Sequence, residues 1–257
     1  MLEDITPVIL TYNEEPNLER TLARLEWARD IVVVDSFSTD KTLAIAARLS
    51  AVRMFQRSFD THAQQWSFAI EQTNIQTSWV LALDADSVLP PDLVEELRNL
   101  KRDGTNAGYS ASFRYCVKGM PLRGTLYPPV TVLFRRSRGR YVQDGHTQRL
   151  KVDGPVGTLK AKIDHDDRKS LSHWLIAQDR YMRLEAEHVS RAAWSELPLP
   201  DKLRRLPLIA PFIAFAYCYF GKRVFLDGKA GLYYALQRLM AEVLLALRLV
   251  EGQLNGK

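Results

Sequence analysis

Ser78-Trp79-Val80-Leu81-Ala82-Leu83-Asp84-Ala85-Asp86-Ser87 is the stretch on which the reading of this chain turns. A short run of β-forming apolar residues ends in two carboxylates, and Pro90-Pro91 and a helical pattern follow. An apolar run of this length, bounded in this way, is expected to be a strand buried on both faces. Side chains alternate along a strand, so Asp84 and Asp86 are expected to leave the core on one face. In an open α/β sheet the carboxyl ends of the strands are where ligands bind. Two carboxylates there suit a hard divalent cation, Mg²⁺ or Mn²⁺, which can in turn hold phosphates. The plain alternative is a helix cap beside a solvated charge.

Working outward, the same cadence repeats. Pro7–Thr11 and Ile31–Asp35 are apolar runs that close on polar clusters, Thr11-Tyr12-Asn13-Glu14 and Asp35-Ser36. Leu18–Trp27 has helical spacing, and Ser36–Asp40 supplies turn and cap residues for a helix through Leu49. Val52–Gln56 is a weaker strand, His62–Thr73 a helix, and Pro91–Leu100 another helix, with proline tolerated in its first turn. Alternating strands and helices predict a mostly parallel, Rossmann-like sheet covered on both faces. Three polar strand ends then lie along one edge, and their convergence is expected to build a pocket.

Beyond Gly108 the pattern changes. Tyr109–Tyr115 alternates like a half-exposed strand and Val130–Arg135 reads as another, so antiparallel additions to the sheet are expected. Leu171–Trp194 is an amphipathic helix. Leu206–Phe220 is apolar but interrupted by Pro207 and Pro211 and flanked by Arg204-Arg205 and Lys222-Arg223, like an interfacial anchor. Gly231–Val250 is a further amphipathic helix, with Leu232, Ala235, Leu236, Leu239, Val243, Ala246 and Leu247 on its apolar face. The expected organisation is a catalytic domain over residues 1–195 and a C-terminal helical segment over 196–257. That segment is read as binding an anionic membrane surface, with packing on the sheet or a homodimer interface as the alternative.

The chain has 257 residues, 46% hydrophobic and 25% charged, with a formal net charge of +5. The mild basic bias fits phosphate-bearing ligands or an anionic membrane and gives no basis for a nucleic-acid partner. Cys116 and Cys218 have no metal-ligand spacing, and the opening residues do not form a secretory signal. No stretch reaches the ~18–20 apolar residues expected of a spanning helix. The expected location is cytoplasmic, peripheral on the inner face of the cytoplasmic membrane. The absence of Gly-x-Gly-x-x-Gly, of a P-loop and of Gly-x-Ser-x-Gly argues against dinucleotide oxidoreductases, P-loop enzymes and hydrolases.

Taken together, Thr11-Tyr12-Asn13-Glu14-Glu15, Val34-Asp35-Ser36-Phe37-Ser38-Thr39-Asp40-Lys41-Thr42 and Leu83-Asp84-Ala85-Asp86 resemble the motifs of a family 2 inverting glycosyltransferase of GT-A fold. The resemblance covers roughly residues 5–190. It is strongest to bacterial enzymes that add sugars to lipopolysaccharide core or other envelope glycans, and Phe225–Leu232 contributes to that closer likeness. It implies that Thr11, Asn13 and Glu14 line a nucleotide pocket and that Asp35 bonds the uracil or ribose. Gln64 would touch the nucleoside, Asp84 the ribose or donor sugar, and Asp86 the metal on the diphosphate. His165 would be a further metal ligand, against the plainer reading of a surface histidine beside Asp166 or Asp167. Asp144 in Val142–His146 would be the general base, with Asp153 and Asp166 as competitors. His146-Thr147 stands where the nearest envelope enzymes carry a His-Glu pair.

The resemblance thus implies transfer of a sugar, with inversion, from a UDP-sugar to a glycan or lipid-linked acceptor, with Mn²⁺ or Mg²⁺ as cofactor. A sugar nucleotidyltransferase is the first alternative, but Thr11–Asn17 lacks the glycine- and arginine-rich loop such an enzyme would need. A non-catalytic nucleotide-binding module at the membrane surface is the second.

Overall fold

A computed structural model describes the chain except for Asp103, Gly145, His146, Glu196, Lys257 and the side chains of Gln143, Asp144 and Thr147. The chain forms two compact units: Met1–Cys116 with Tyr127–Arg168, and Val117–Leu126 with Lys169–Lys257. The observed partition therefore falls after Arg168, where the sequence reading placed a boundary after residue 195.

The first unit opens with β1 (Ile5–Thr11), α1 (Leu18–Leu22), β2 (Ile31–Asp35), α2 (Thr42–Ala46), β3 (Val52–Gln56), α3 (His62–Glu71) and β4 (Trp79–Asp84). These strands are parallel neighbours in the order β4-β1-β2-β3. Their alternation separates two cores. Ile5, Ile9, Ile31, Val33, Trp79, Leu81 and Leu83 pack on one face, with Leu18, Leu22, Leu25 and Ile45 from the α1 and α2 regions. Val8, Val32, Val34, Val80 and Ala82 pack on the other, with Trp66, Ala69 and Ile70 from α3. Full burial of each such side chain contributes about 1.5–3 kcal/mol, which is why the register cannot slip by one residue.

Helix α1 is shorter than the periodicity predicts because hydrogen bonds three residues apart, from Arg24 and Leu25 back to Thr21 and Leu22, tighten the chain beyond it. Leu25 is still fully buried. The side-chain oxygen of Thr61 accepts from the Gln64 backbone amide and caps α3.

After β4 come β5 (Ser87–Val88), α4 (Pro91–Asn99), β6 (Gly108–Ala111) and β7 (Phe113–Val117). Residues 109–115, expected as one strand, therefore divide at Ser112 between two sheets. The chain passes into the second unit through β8 (Met120–Pro121) and returns as β9 (Val130–Arg135), β10 (Gly139–Asp144), β11 (Thr147–Val152), β12 (Val156–Thr158) and β13 (Ile163–His165). β9 joins β4 and β6 antiparallel, as expected for the additions to the sheet, and the full order is β12-β6-β9-β4-β1-β2-β3. β10 and β11 form a separate hairpin. β13 lies between β5, antiparallel, and β7, parallel.

In the second unit, α5 (Leu171–Arg191), α6 (Leu199–Arg204), α7 (Ala210–Ala216) and α8 (Gly228–Leu254) follow. A π-turn at Tyr217–Gly221 and a 3-10 turn at Val224–Asp227 link α7 to α8. Ala186 and Val189 of α5 pack on Leu245 and Leu249 of α8. The face that α8 buries carries Ala230, Tyr234, Ala241, Leu245 and Leu249, whereas Leu232, Leu236 and Leu247 of the expected face are exposed. Val224–Leu254 is also long and apolar enough, by length and composition, to cross a membrane. The sequence holds no uninterrupted apolar run of that length here, because Gln237, Arg238, Glu242 and Arg248 fall within the helix. A soluble core helix passes the same test, and 39% of its most apolar window is buried.

Candidate active site

The ends of β1 and β2 are tied together by their own polar residues. Thr11 stands opposite Asp35 in the parallel register, and its hydroxyl donates to Asp35 Oδ1 at 2.9 Å. Asp35 is fully buried, which an ionised carboxylate tolerates only when it is well hydrogen-bonded. The Ser38 amide donates to Oδ2 at 2.8 Å, the Ser38 hydroxyl to Oδ1 at 2.5 Å, and Gln56 Nε2 to Oδ2 at 3.4 Å. Asn13, at φ +53°, donates its amide to Ser38 Oγ and accepts from the Thr39 amide. Asparagine is among the few residues that adopt this left-handed backbone readily. The Glu14 amide donates to Thr42 Oγ1 at 2.7 Å.

Asn17 extends this lattice to the far end of the unit. Its side chain is buried at 1% exposure. Its Nδ2 donates to Glu14 Oε2 and Asp167 Oδ1, both at 2.9 Å, and its Oδ1 accepts from the Arg168 amide and from Arg20. Asp166, only 6% exposed, is ion-paired with Arg168 and Arg20. Asn17 and Arg20 carry no recognisable pattern in the sequence, and Arg168 reads there only as a basic residue.

Gln64 lies on the exposed face of α3, where Arg57 donates to its side-chain oxygen at 3.3 Å. Its neighbour Gln65 is the buried one, donating to Ser36 Oγ at 3.0 Å and accepting from Arg57 at 2.6 Å. Helix phase decides this, and the sequence pattern did not resolve it.

β4 ends at Asp84, so strand alternation accounts for Asp84 but not for Asp86, which stands in the following turn. Asp84 continues the Val80–Ala82 face, opposite to the face carrying Thr11 and Asp35. The polar strand ends thus share an edge but open on different sides of the sheet. Asp84 helps line a cavity of about 360 Å³ with Ser87, Tyr141, Gln148, Arg149 and Trp66. Trp66 and Tyr141 stack there at 5.1 Å with an 11° interplanar angle.

His165 reaches Asp86 through the small sheet. Ser87 and His165 are register partners, and the Asp166 amide donates to the Asp86 carbonyl at 3.0 Å. His165 Nδ1 lies 3.2 Å from Asp86 Oδ1, with the rings of Tyr115 and Tyr127 each 5.1 Å away. Burial alone would lower the imidazole pKa. The charge and hydrogen bond of Asp86, with the charges of Asp84 and Asp167, outweigh burial and raise it to about 9. An imidazole beside a carboxylate is a donor pair chemically suited to Mn²⁺, and such an ion would require the imidazole to give up its proton. Among the described residues no group of three His, Cys, Asp or Glu side chains is already gathered as a metal cage.

The side chain of Asp144 lies outside the described residues. Its backbone ends β10, paired in register with Thr147. Of its competitors, Asp166 is engaged by two arginines and Asp153 is exposed at a turn.

The sequence model of Glycosyl transferase family 2 matches residues 6–169. The chain belongs to glycosyltransferase family 2. The mostly parallel sheet with antiparallel additions and C-terminal helices is the architecture expected of this family's GT-A fold. The chain is 27% identical over 265 residues to the lipopolysaccharide core biosynthesis glycosyltransferase LpsC of Rhizobium meliloti, across 96% of this chain and 92% of that one. It is 35% identical over 98 residues to an uncharacterized glycosyltransferase of Rickettsia bellii, a match over 38% of this chain and 32% of that relative. Among solved structures, S. aureus TarS 1–349 in complex with UDP-GlcNAc aligns with 98% of this chain and 92% of its own, at a TM-score of 0.49 and 15% identity. This family 2 chain therefore spans about a third of one curated relative in alignment and nearly all of another.

Proposed function

We propose that this family 2 protein is an inverting glycosyltransferase that moves a sugar from a nucleoside diphosphate, UDP, onto a glycan or lipid-linked acceptor of the bacterial envelope. The observation that carries the reading is the meeting of the Thr11–Asn17, Asp35–Thr42 and Asp84–Asp86 segments along one sheet edge, inside the span matched by the family model. The near full-length similarity to LpsC supports lipopolysaccharide core as the destination.

In this reading Thr11, Asn13, Glu14 and Asp35 frame the nucleoside. Their mutual hydrogen bonds fix the pocket before the ligand arrives, which limits the entropy lost on binding. Tyr12, exposed next to Thr11 in the chain, offers a ring face to the base, and Gln64 offers an amide from α3. Asp84, at the mouth of the cavity, accepts from ribose or donor-sugar hydroxyls. Asp86 and His165 are the residues that would hold Mn²⁺ or Mg²⁺, whose charge would offset that of the departing diphosphate. Asp144 removes the proton of the acceptor hydroxyl as its oxygen bonds the anomeric carbon. The bond from that carbon to the diphosphate breaks on the opposite side, so one displacement inverts the centre. The protein works at the inner face of the cytoplasmic membrane, as a monomer or a homodimer.

The test is donor hydrolysis and transfer across a panel of UDP- and GDP-sugars, with and without Mn²⁺. Turnover is expected with a UDP-sugar and Mn²⁺, and Asp144→Asn should reduce it by about 10²-fold or more while UDP still binds. Absence of turnover with every donor would remove the reading, and full activity of Asp144→Asn would remove Asp144 as the base.

A further inference from the structure

The second unit exposes far more large apolar side chain than its own helices cover. From Leu206 to Leu226 the sequence contains no aspartate or glutamate. Within that segment Leu208 is 84% exposed, Phe212 69% and Phe220 61%, and Ile209, Tyr217, Phe225 and Leu226 are exposed as well. A contiguous apolar surface of this kind marks an interaction site. Basic residues rim it: Lys222 Nζ lies 5.5 Å from the Tyr217 ring centroid, and Arg223 and Lys229 are exposed. The nearby carboxylates are already engaged. Asp227 accepts from the Arg123 amide and pairs with its guanidinium at 3.2 Å, while Asp201 and Glu242 both pair with Arg204. The surface is therefore aromatic and aliphatic at its centre and net positive at its edge.

We propose that residues 206–226 are a monotopic footing by which the protein sits on an anionic lipid bilayer, with α8 remaining outside the hydrocarbon. Charge selects the bilayer over a second copy of the chain. A two-fold contact would bury this patch against its own copy, where neither side of the segment supplies an acid to pair with Lys222 or Arg223. Anionic headgroups meet the cations while the acyl boundary receives Leu208, Phe212 and Phe220. Length selects a monotopic seat over a span. Ala210–Gly221, the apolar helix here, reaches roughly 18 Å at 1.5 Å per residue, short of the ~30 Å hydrocarbon core. The longer α8 is committed to its own unit through Ala230, Tyr234, Leu245 and Leu249. The inference deepens the proposed function by naming the surface on which a lipid-linked acceptor is met, and it stands on the second unit alone.

The test is co-sedimentation of the full-length protein with vesicles of phosphatidylcholine alone or mixed with phosphatidylglycerol, at low and high salt. Binding is expected only with phosphatidylglycerol and should weaken with salt, and alkaline carbonate should release the protein. Lys222→Glu with Arg223→Glu should lower binding at least about tenfold. Phe212→Ser with Phe220→Ser should also lower it, with UDP binding by calorimetry unchanged as the check on folding. Failure to bind anionic vesicles would overturn the inference. So would resistance to carbonate, which would make α8 a span, or a vesicle-free dimer that Phe212→Ser dissociates, which would make a second copy the occupant. Donor hydrolysis, measured without vesicles on the same preparations, reports separately on the transferase reading.

Discussion

The Nδ1 of His165 lies 3.2 Å from the Oδ1 of Asp86, and this contact is set by backbone pairing rather than by the reach of either side chain. β5 and β13 are two and three residues long, yet their register puts Ser87 opposite His165. The carboxylate in the turn and the imidazole at the strand end are thus held together before any ligand arrives.

That arrangement gives the first prediction. Calorimetry of Mn²⁺ binding in the presence of UDP should show affinity in the native chain. Asp86→Asn should weaken it by more than about 100-fold, since losing even a second-shell partner of a metal costs ~10–100-fold. His165→Ala should weaken it less severely, because Asp86 retains its carboxylate donor. Equal Mn²⁺ affinity in the native and Asp86→Asn proteins would place the metal elsewhere.

Asn17 provides the second. Its one amide joins Glu14, Asp167, the Arg168 backbone and Arg20. Asn17→Ala should destabilise the first unit by about 1–3 kcal/mol, the cost of leaving buried polar groups unsatisfied. Asn17→Asp should be worse, because it sets a third carboxylate against Glu14 and Asp167. Chemical denaturation measures both, and UDP affinity should fall with the loosened Asn13–Glu14 turn. Unchanged stability in Asn17→Asp would show that the amide is not the tie.

What the sequence disclosed and what it concealed follow from length scale. β1, β2 and β4 announce themselves because each carries several consecutive apolar residues, enough for both faces of a covered sheet. The carboxylates closing β2 and β4 were visible for the same reason. β5 and β13 are too short to show a period, so the meeting of His165 with Asp86 rested on resemblance alone. Gln64 and Gln65 are adjacent, and only the phase of α3 against the sheet decides that Gln65 is the buried one. The opposite facing of Asp35 and Asp84 was implicit in strand alternation, but seeing it needed the registers Thr11↔Asp35 and Leu10↔Asp84. The apolar face expected for α8 divides, with Ala235 buried and Leu232, Leu236 and Leu247 exposed, because amphipathic spacing fixes that a helix has faces, not which one a neighbour takes.

The cysteines give a prediction about pH. Burial raises the Cys116 thiol to about 12, with the charges of Asp164 and Asp166 acting in the same direction, and burial raises Cys218 to about 11. A raised thiol pKa keeps the unreactive protonated form, so at pH 8 no more than about one molecule in a thousand carries either thiolate. Both should resist a disulfide-exchange reagent at pH 8 in the native protein and react promptly once it is denatured. Rapid native reaction of one equivalent would show that a cysteine is not buried in solution.

Gly231 supplies the last. The Phe225–Leu232 segment proves to be a structural joint: Val224–Asp227 forms a 3-10 turn, Gly228 takes φ +59°, and α8 begins. A Cβ added at Gly231 would collide with the backbone carbonyl of Val224, and backbone cannot swing aside as a flexible side chain can. Gly231→Ala should therefore cost about 1–3 kcal/mol, even though alanine is favoured over glycine within a helix by up to ~1 kcal/mol. Gly252→Ala, with nothing within 4 Å of the added Cβ, is the matched control and should be neutral or mildly stabilising. Thermal unfolding of the two variants separates packing from propensity: if both shift alike, the contact with Val224 does not constrain the helix.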